Sequence, residues 1–498
     1  MQTSQIDGVP VFSAPGPRRT TLVLVFGVGV QDETYQTREL THLVEHLVMG
    51  SLPKRNIQCN ATTTVDTTSF YATGRPEAVR EFVEGVCAAV SDLSLQRADA
   101  EIGVLQAEDC SSSGGGLVES LWAARYGLTG PGVAFAGGPG PQFLPDEVIR
   151  AHAAAWFVRG NAALVCHGEL PEGLRLPLPD RPAPPHRPAL PRHQAAPAWT
   201  KSWTPGVGLQ LSATGPWDPA LRVAADVLRE RVQDVARTER GLSYSAEVVT
   251  HDVAPDRREV AVVVDAREGQ EGAVAEILWT QFQDLCRTGP GAAELAHARE
   301  GLEEALDAAD EDELVRSDLM DAAVSAVTGI PALPLAAWME ACTAVTAPEA
   351  QAALERVRRS ALLQVPEWSD FAGLPGLQRW LICGLTREAV PGRTIRPSLA
   401  QRVLGRAGNR AIVLGDQGIA HRDPDGDVHA IAWSQVENVF PILDDGGVVV
   451  VGGNMCLVPV ERAVFGQRAV DQVSARLREV VHPQRWSAPR PGTVVPVA

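Results

Sequence analysis

Lysine is nearly missing from this 498-residue chain: Lys54 and Lys201 are the only two, so arginine carries almost all the positive charge. Basic charge is scarce altogether, since 44 Lys and Arg face 61 Asp and Glu and leave a formal net charge of -17. A nucleic-acid partner would demand a basic footprint, so none is expected. The acidity serves solubility, with a mild preference for basic ligands. The eight cysteines form no C-x-x-C pair, and several lie in apolar runs such as NAALVCHG, which reads as reduced, partly buried thiols. Long apolar runs are lacking too. TTLVLVFGVGV is too short to span a bilayer, and MQTSQIDGVPVFSAPGP has neither the basic nor the apolar region of a signal peptide. A cytoplasmic protein with no membrane partner is expected.

What is present is ordinary globular composition, 45% apolar and 21% charged, at a length that suggests about three domains. Strand and helix patterns alternate through residues 1–170. A proline-dense stretch at 171–200 (LPEGLRLPLPDRPAPPHRPALPRHQAAPAW) then reads as a linker. The same kind of order begins again over 201–395, although no residue-level repeat is visible. Short strands joined by Gly and Asp turns fill 400–481, closed by the helix GQRAVDQVSARLREVV and a tail at 482–498. The fold class is therefore α+β: two similar α/β halves and a small C-terminal β-rich domain with a terminal helix. That last pattern resembles a pleckstrin-homology-like module. It contains no lysine, which argues against phosphoinositide binding. The glycine-rich VFGVGVQDE and AGGPGPQ lie in no Walker or dinucleotide context and read as turns.

RELTHLVEHLVMG, Arg38–Gly50, reads as a helix carrying H-x-x-E-H. With His42 at zero on a helix turning about 100° per residue, Glu45 falls near about 300° and His46 near about 40°. Leu40, Leu43, Val44, Leu47 and Val48 fill the opposite arc. Histidines at i and i+4 can both ligate one zinc ion, and the glutamate between them can reach a metal-bound water. A solvated face that happens to carry these residues is the competing reading. Catalytic zinc also needs a third protein ligand. Glu101 and Glu108, two helical turns apart beside Val104 and Leu105, are candidates, because a carboxylate on an apolar stripe is costly unless paired. An arginine ion pair would serve as well as a metal. The histidines outside the motif, including His421 and His429, show no ligand spacing.

These residues resemble the pitrilysin/insulinase family of zinc metallopeptidases, whose signature is the inverted H-x-x-E-H. The resemblance implies that His42, His46 and Glu108 ligate zinc, that Glu45 is the general base, and that Glu101 supports the site without ligating. CNATTTVDTTSFY is similar to a family strand whose edge pairs with the substrate backbone, implying that Asn60 and Ala61 bind substrate. ARTERGLSYSA resembles the R-x-x-x-G-L-x-Y segment, implying that Arg237 and Tyr244 contact substrate near the scissile carbonyl. Alone, Arg237 would read as a helix-terminal cation and Tyr244 as a strand aromatic. The likeness covers about residues 8–387. The connection from His46 to Asn60 is shorter than the family's by roughly a dozen residues, so the cleft wall beside the metal must differ.

The function implied is a zinc-dependent endopeptidase acting on peptides or unfolded segments in a closed chamber, with leader-peptide processing as a narrower version. A non-catalytic scaffold or partner subunit is the alternative from another class. The family builds its chamber from four α/β domains and this chain has two, which implies a homodimer, with a heterodimer as the other possibility.

Overall fold

The structure is a computed structural model that describes residues 1–111, 116–135, 137–186, 189–215, 217–386, 390–403 and 408–491. In the stretch Thr20–Phe26, Leu22, Leu24 and Phe26 enter one buried cluster while Val25 enters another on the opposite face. A strand buried on both sides needs two covering layers, and the rest of the chain supplies them.

The first half runs β1 (Gln2–Ile6), β2 (Val9–Ala14), β3 (Thr20–Phe26), α1 (Leu40–Ser51), β4 (Gln58–Thr63), β5 (Thr68–Gly74), α2 (Pro76–Ser91), α3 (Ala98–Ser111), α4 (Leu117–Tyr126), α5 (Asp146–Trp156) and β6 (Ala162–His167). The second runs β7 (Ala198–Ser202), β8 (Val207–Thr214), α6 (Pro219–Gln233), β9 (Ala246–Ala254), β10 (Arg257–Val264), α7 (Glu271–Thr288), α8 (Ala292–Ala308), α9 (Glu311–Thr328), α10 (Leu335–Thr343), α11 (Ala347–Val357), β11 (Leu362–Pro366) and β12 (Gln378–Arg379). The two sheets have the orders β1-β2-β6-β3-β5-β4 and β12-β7-β11-β8-β10-β9. Without β1 and β12 they are the same sheet, including the single parallel pair, β2 with β6 and β7 with β11. The duplication expected from element order is thus present in topology, and α1 occupies in the first half the place that α6 occupies in the second.

Each sheet is covered on one face by helices of its own half and on the other by a helix from its neighbour. Leu319 and Ala323 of α9 pack on Val25, Ala163 and Val165 of the first sheet. In return, Leu117 and Leu121 of α4 lie over Gly206 and Gly208 at the start of β8, where a Cβ on Gly208 would come within 2.8 Å of Leu121. Ser120 is hydrogen-bonded to Ser202 (2.5 Å) and donates to Gln364 (3.0 Å), and Tyr126 donates to the buried Glu259 (2.5 Å). Burial of large apolar side chains contributes about 1.5–3 kcal/mol each. The exchange therefore locks the halves together.

The proline-rich stretch is bound along the surface, because Leu174, Leu176 and Leu178 enter the first half's core. Further on, His186 Nδ1 lies 2.8 Å from Asp32 Oδ1. The C-terminal unit has a five-stranded sheet ordered β13-β17-β16-β15-β14 and a three-stranded one ordered β18-β19-β20. Its strands are β13 (Leu385–Thr386), β14 (Arg393–Ile395), β15 (Ala411–Leu414), β16 (Gly418–Arg422), β17 (Val428–Ala432), β18 (Val436–Pro441), β19 (Val448–Gly452) and β20 (Leu457–Val460). β13 and β14 lie within the stretch that sequence patterning groups with the second half, yet they pair with β17 and β15. The helix Gln467–Val480 packs Val473 and Leu477 into this unit's core. The unit docks on the first half, where Gln36 donates to Asn438 (3.1 Å) and Arg490 lies 2.6 Å from Asp146. Among the described residues no helix is long and apolar enough to cross a membrane.

Candidate metal centre

The aliphatic arc of α1 is fully used: Leu43, Val44, Leu47 and Val48 are buried against the first sheet and α2. The polar arc is largely withdrawn from solvent, although the His42 side chain is 31% exposed. Glu45 is 6% exposed, and the His46 side chain 15%. A buried polar face needs partners, and α3, β4 and the segment before α1 provide them.

His42 Nε2 and His46 Nε2 each lie 3.7 Å from Glu108 Oε2 on α3. That is too long for a hydrogen bond. The ligand atoms of the three residues all lie within 4.8 Å of one another. A tetrahedral zinc ion, with Zn–N and Zn–O of about 2.0–2.2 Å, would hold such atoms about 3.3–3.5 Å apart. The two 3.7 Å edges are slightly longer than that, and the donor set of two imidazoles and one carboxylate suits zinc.

The other nitrogen of each ring faces a carboxylate. His42 Nδ1 is 3.1 Å from Glu39 Oε2, and His46 Nδ1 is 3.4 Å from Glu101 Oε2. Such partners fix the tautomer and turn Nε2 toward a metal. Burial would push the His42 imidazole down, but the Glu39 bond and the charges of Glu45, Glu39 and Glu108 outweigh it and hold it above its ordinary value. The cluster is anionic and favours a cation.

Glu101 also accepts from Arg97 Nε (2.9 Å) and Nη2 (2.8 Å), so the arginine pair that sequence offered as the rival to a metal is present. Val104 is 42% exposed and only Leu105 is buried, so the stripe beside these carboxylates is narrower than expected from helical spacing. Glu39 closes the N-terminus of α1 with φ 71°, a left-handed conformation costly for a residue with a side chain. Glu33 holds that bend by accepting from the main-chain N–H of Glu39 (2.9 Å) and Thr41 (2.7 Å). Neither Glu33 nor Glu39 was singled out from sequence. The Glu39–His42 spacing of one helical turn was the available signal.

Glu45 accepts a hydrogen bond from Thr63 Oγ1 at the end of β4 (2.8 Å). β4 is an edge strand, with β5 as its one neighbour among the described residues. Asn60 and Ala61 on it line, with His42, Glu45, His46 and Glu108, a cleft of ≈ 390 Å³. Arg237 and Tyr244 do not line that cleft. They sit in the second half, where α6 continues into a wider π-type turn, Asp234–Glu239. The Arg237 guanidinium lies 4.9 Å from the centre of the Tyr244 ring. The Tyr244 and Ser245 main-chain N–H groups both donate to Asp265 (2.8 Å each), leaving the Tyr244 side chain 74% exposed. Between α6 and α8 the second half carries an ion pair, from Arg231 to Glu294 (2.5 Å), and Arg231 also pairs with Asp284 of α7 (3.1 Å).

No family model and no curated protein matches the chain. Solved structures do. A peptidase M16 inactive domain from Pseudomonas fluorescens is 16% identical, with a TM-score of 0.59, over 74% of this chain and 98% of that one. A protease from Helicobacter pylori is 14% identical, with a TM-score of 0.58, over 73% and 99%. The periplasmic protease PqqL from Escherichia coli is 15% identical, with a TM-score of 0.55, over 86% of this chain and 55% of that one. At such identities the likeness is one of fold: the two halves have the M16 peptidase-like architecture.

Proposed function

We propose that this chain is a zinc-dependent endopeptidase of the pitrilysin/insulinase type that hydrolyses peptides or unfolded segments, with removal of a leader peptide as the narrower form. The observation that carries the proposal is the triangle of His42 Nε2, His46 Nε2 and Glu108 Oε2, its two 3.7 Å edges too long for hydrogen bonds, in a cleft that also holds Glu45 and an open strand edge. When bound, zinc supplies Lewis acidity for attack of water on a carbonyl. Glu45, held at one oxygen by Thr63, takes the proton of the attacking water and passes it to the leaving amine. The β4 edge at Asn60 and Ala61 aligns the substrate backbone by strand addition. Glu39 and Glu101 keep the imidazoles in their ligating tautomer.

Arg237 and Tyr244 stabilise the developing oxyanion from a second copy of the chain. The chain has two α/β halves, and its own cleft is lined without that pair. A homodimer related by a two-fold axis would bring each pair to the other copy's metal, and a heterodimer would do so with a related chain. Cytoplasmic residence belongs to the same proposal, although PqqL is a periplasmic protease. One of the similar structures is an inactive M16 peptidase domain, so a non-catalytic partner subunit is the second reading. Metal analysis of the purified chain, run beside cleavage of a mixed peptide library, separates the two. The enzyme reading expects stoichiometric zinc and zinc-dependent cleavage; the partner-subunit reading expects no cleavage by the chain alone.

A further inference from the structure

Cys383 lies just before β13, His429 on β17 and Cys456 in the turn before β20. Their ligand atoms all lie within 4.8 Å of one another, and neither cysteine is in a disulfide. Cys383 Sγ is 3.6 Å from His429 Nδ1. A tetrahedral zinc with Zn–S of about 2.3 Å and Zn–N of about 2.0–2.1 Å would separate sulfur and nitrogen by about 3.6 Å. On the far side of the ring, His429 Nε2 faces Asp423 Oδ2 at 4.0 Å, beyond hydrogen-bond distance.

The surroundings are built to hold these three residues. Asn454 ties together the segments that carry them: its carbonyl accepts from Gly384 N–H (3.0 Å), its Nδ2 donates to Ala430 O (2.7 Å), and its Oδ1 accepts from Cys456 N–H (3.2 Å). Met455, between Asn454 and Cys456, has φ 63°, a left-handed bend that a side chain disfavours. Arg192 of the proline-rich strap donates to Leu381 O (3.2 Å) and Ile382 O (2.6 Å), fixing the approach to Cys383.

We propose that Cys383, His429 and Cys456 bind a second zinc ion, separate from the cleft on α1, that staples the five-stranded and three-stranded sheets of the C-terminal unit to each other. Two thiolates and a neutral imidazole neutralise the charge of the ion, and water completes a tetrahedron. β17 belongs to the larger sheet and β20 to the smaller, so the ion crosses the seam between them. The assignment does not depend on peptidase activity.

The test uses the full chain with His42→Ala and His46→Ala, which removes the imidazoles of the first centre, titrated with cobalt(II) under reducing conditions. One equivalent should bind with a thiolate-to-cobalt charge-transfer absorption, which zinc then abolishes by displacement. Cys456→Ser should remove the band. Should that variant fail to fold, His429→Gln should shift the band and weaken binding by at least about tenfold. Cobalt uptake without a thiolate band, no uptake at all, or a Cys383–Cys456 disulfide in protein alkylated directly from cells would overturn the assignment.

Discussion

Gly50 on α1 and the Glu101 carboxylate on α3 approach so closely that a Cβ on Gly50 would lie 2.8 Å from Glu101 Oε1 and 3.0 Å from Arg97 Nε. The missing side chain at the end of α1 is what lets α3 bring its carboxylate to His46. Gly50→Val should therefore push Glu101 off His46 Nδ1 while the core beneath α1 stays intact. Losing such an outer partner typically costs about 10–100-fold in metal affinity. Zinc titration of the variant, with its thermal midpoint as control, checks this; unchanged affinity would show that the Glu101–His46 contact does not support the site.

Glu33 gives a pH signature. Burial raises its pKa from 4.5 to about 8, against the lowering effect of the hydrogen bonds from Thr41 and Glu39. A carboxyl whose folded pKa lies above its unfolded value gives stability that is full below about 4.5 and lost as pH rises through about 8. In metal-free protein the denaturation midpoint should fall across that window, and Glu33→Gln should flatten the fall. An equal slope in the variant would mean that Glu33 is ionised throughout.

The pairing of Arg237 with Tyr244 on a surface outside the metal cleft leads to a mixing experiment. Glu45→Gln and Tyr244→Phe chains should each be poorly active alone. After subunit exchange, one site of the mixed dimer carries both lesions and the other none, so activity should return. Proven exchange without recovery would show that the pair does not act between chains.

How much of this was legible in sequence depends on the range of the contact. The polar face of α1 could be read because i, i+4 spacing sets the face of a helix, and Glu101 with Glu108 followed the same geometry on α3. The two-half architecture was legible from element order alone. The reciprocal covering of each sheet by α9 and α4 was not, because nothing local in DELVRSDLMDAAVSAVT names the sheet its apolar residues will cover. The strap was hidden for a related reason: proline density excludes regular structure but does not reveal that Leu174, Leu176 and Leu178 are buried. Cys383, His429 and Cys456 have no ligand spacing, since three separate segments of the C-terminal unit bring them together.

The most direct measurement is zinc content and peptide cleavage of Glu45→Gln beside the parent chain and Glu108→Gln. Glu45 does not complete the ligand triangle, so its variant should keep the zinc of the first centre and lose cleavage by several orders of magnitude, in line with the about 10²–10⁴-fold that general acid–base catalysis typically contributes. Glu108→Gln should lose that zinc. Normal cleavage by Glu45→Gln, or undiminished zinc in Glu108→Gln, would contradict a metallopeptidase centre built from His42, Glu45, His46 and Glu108.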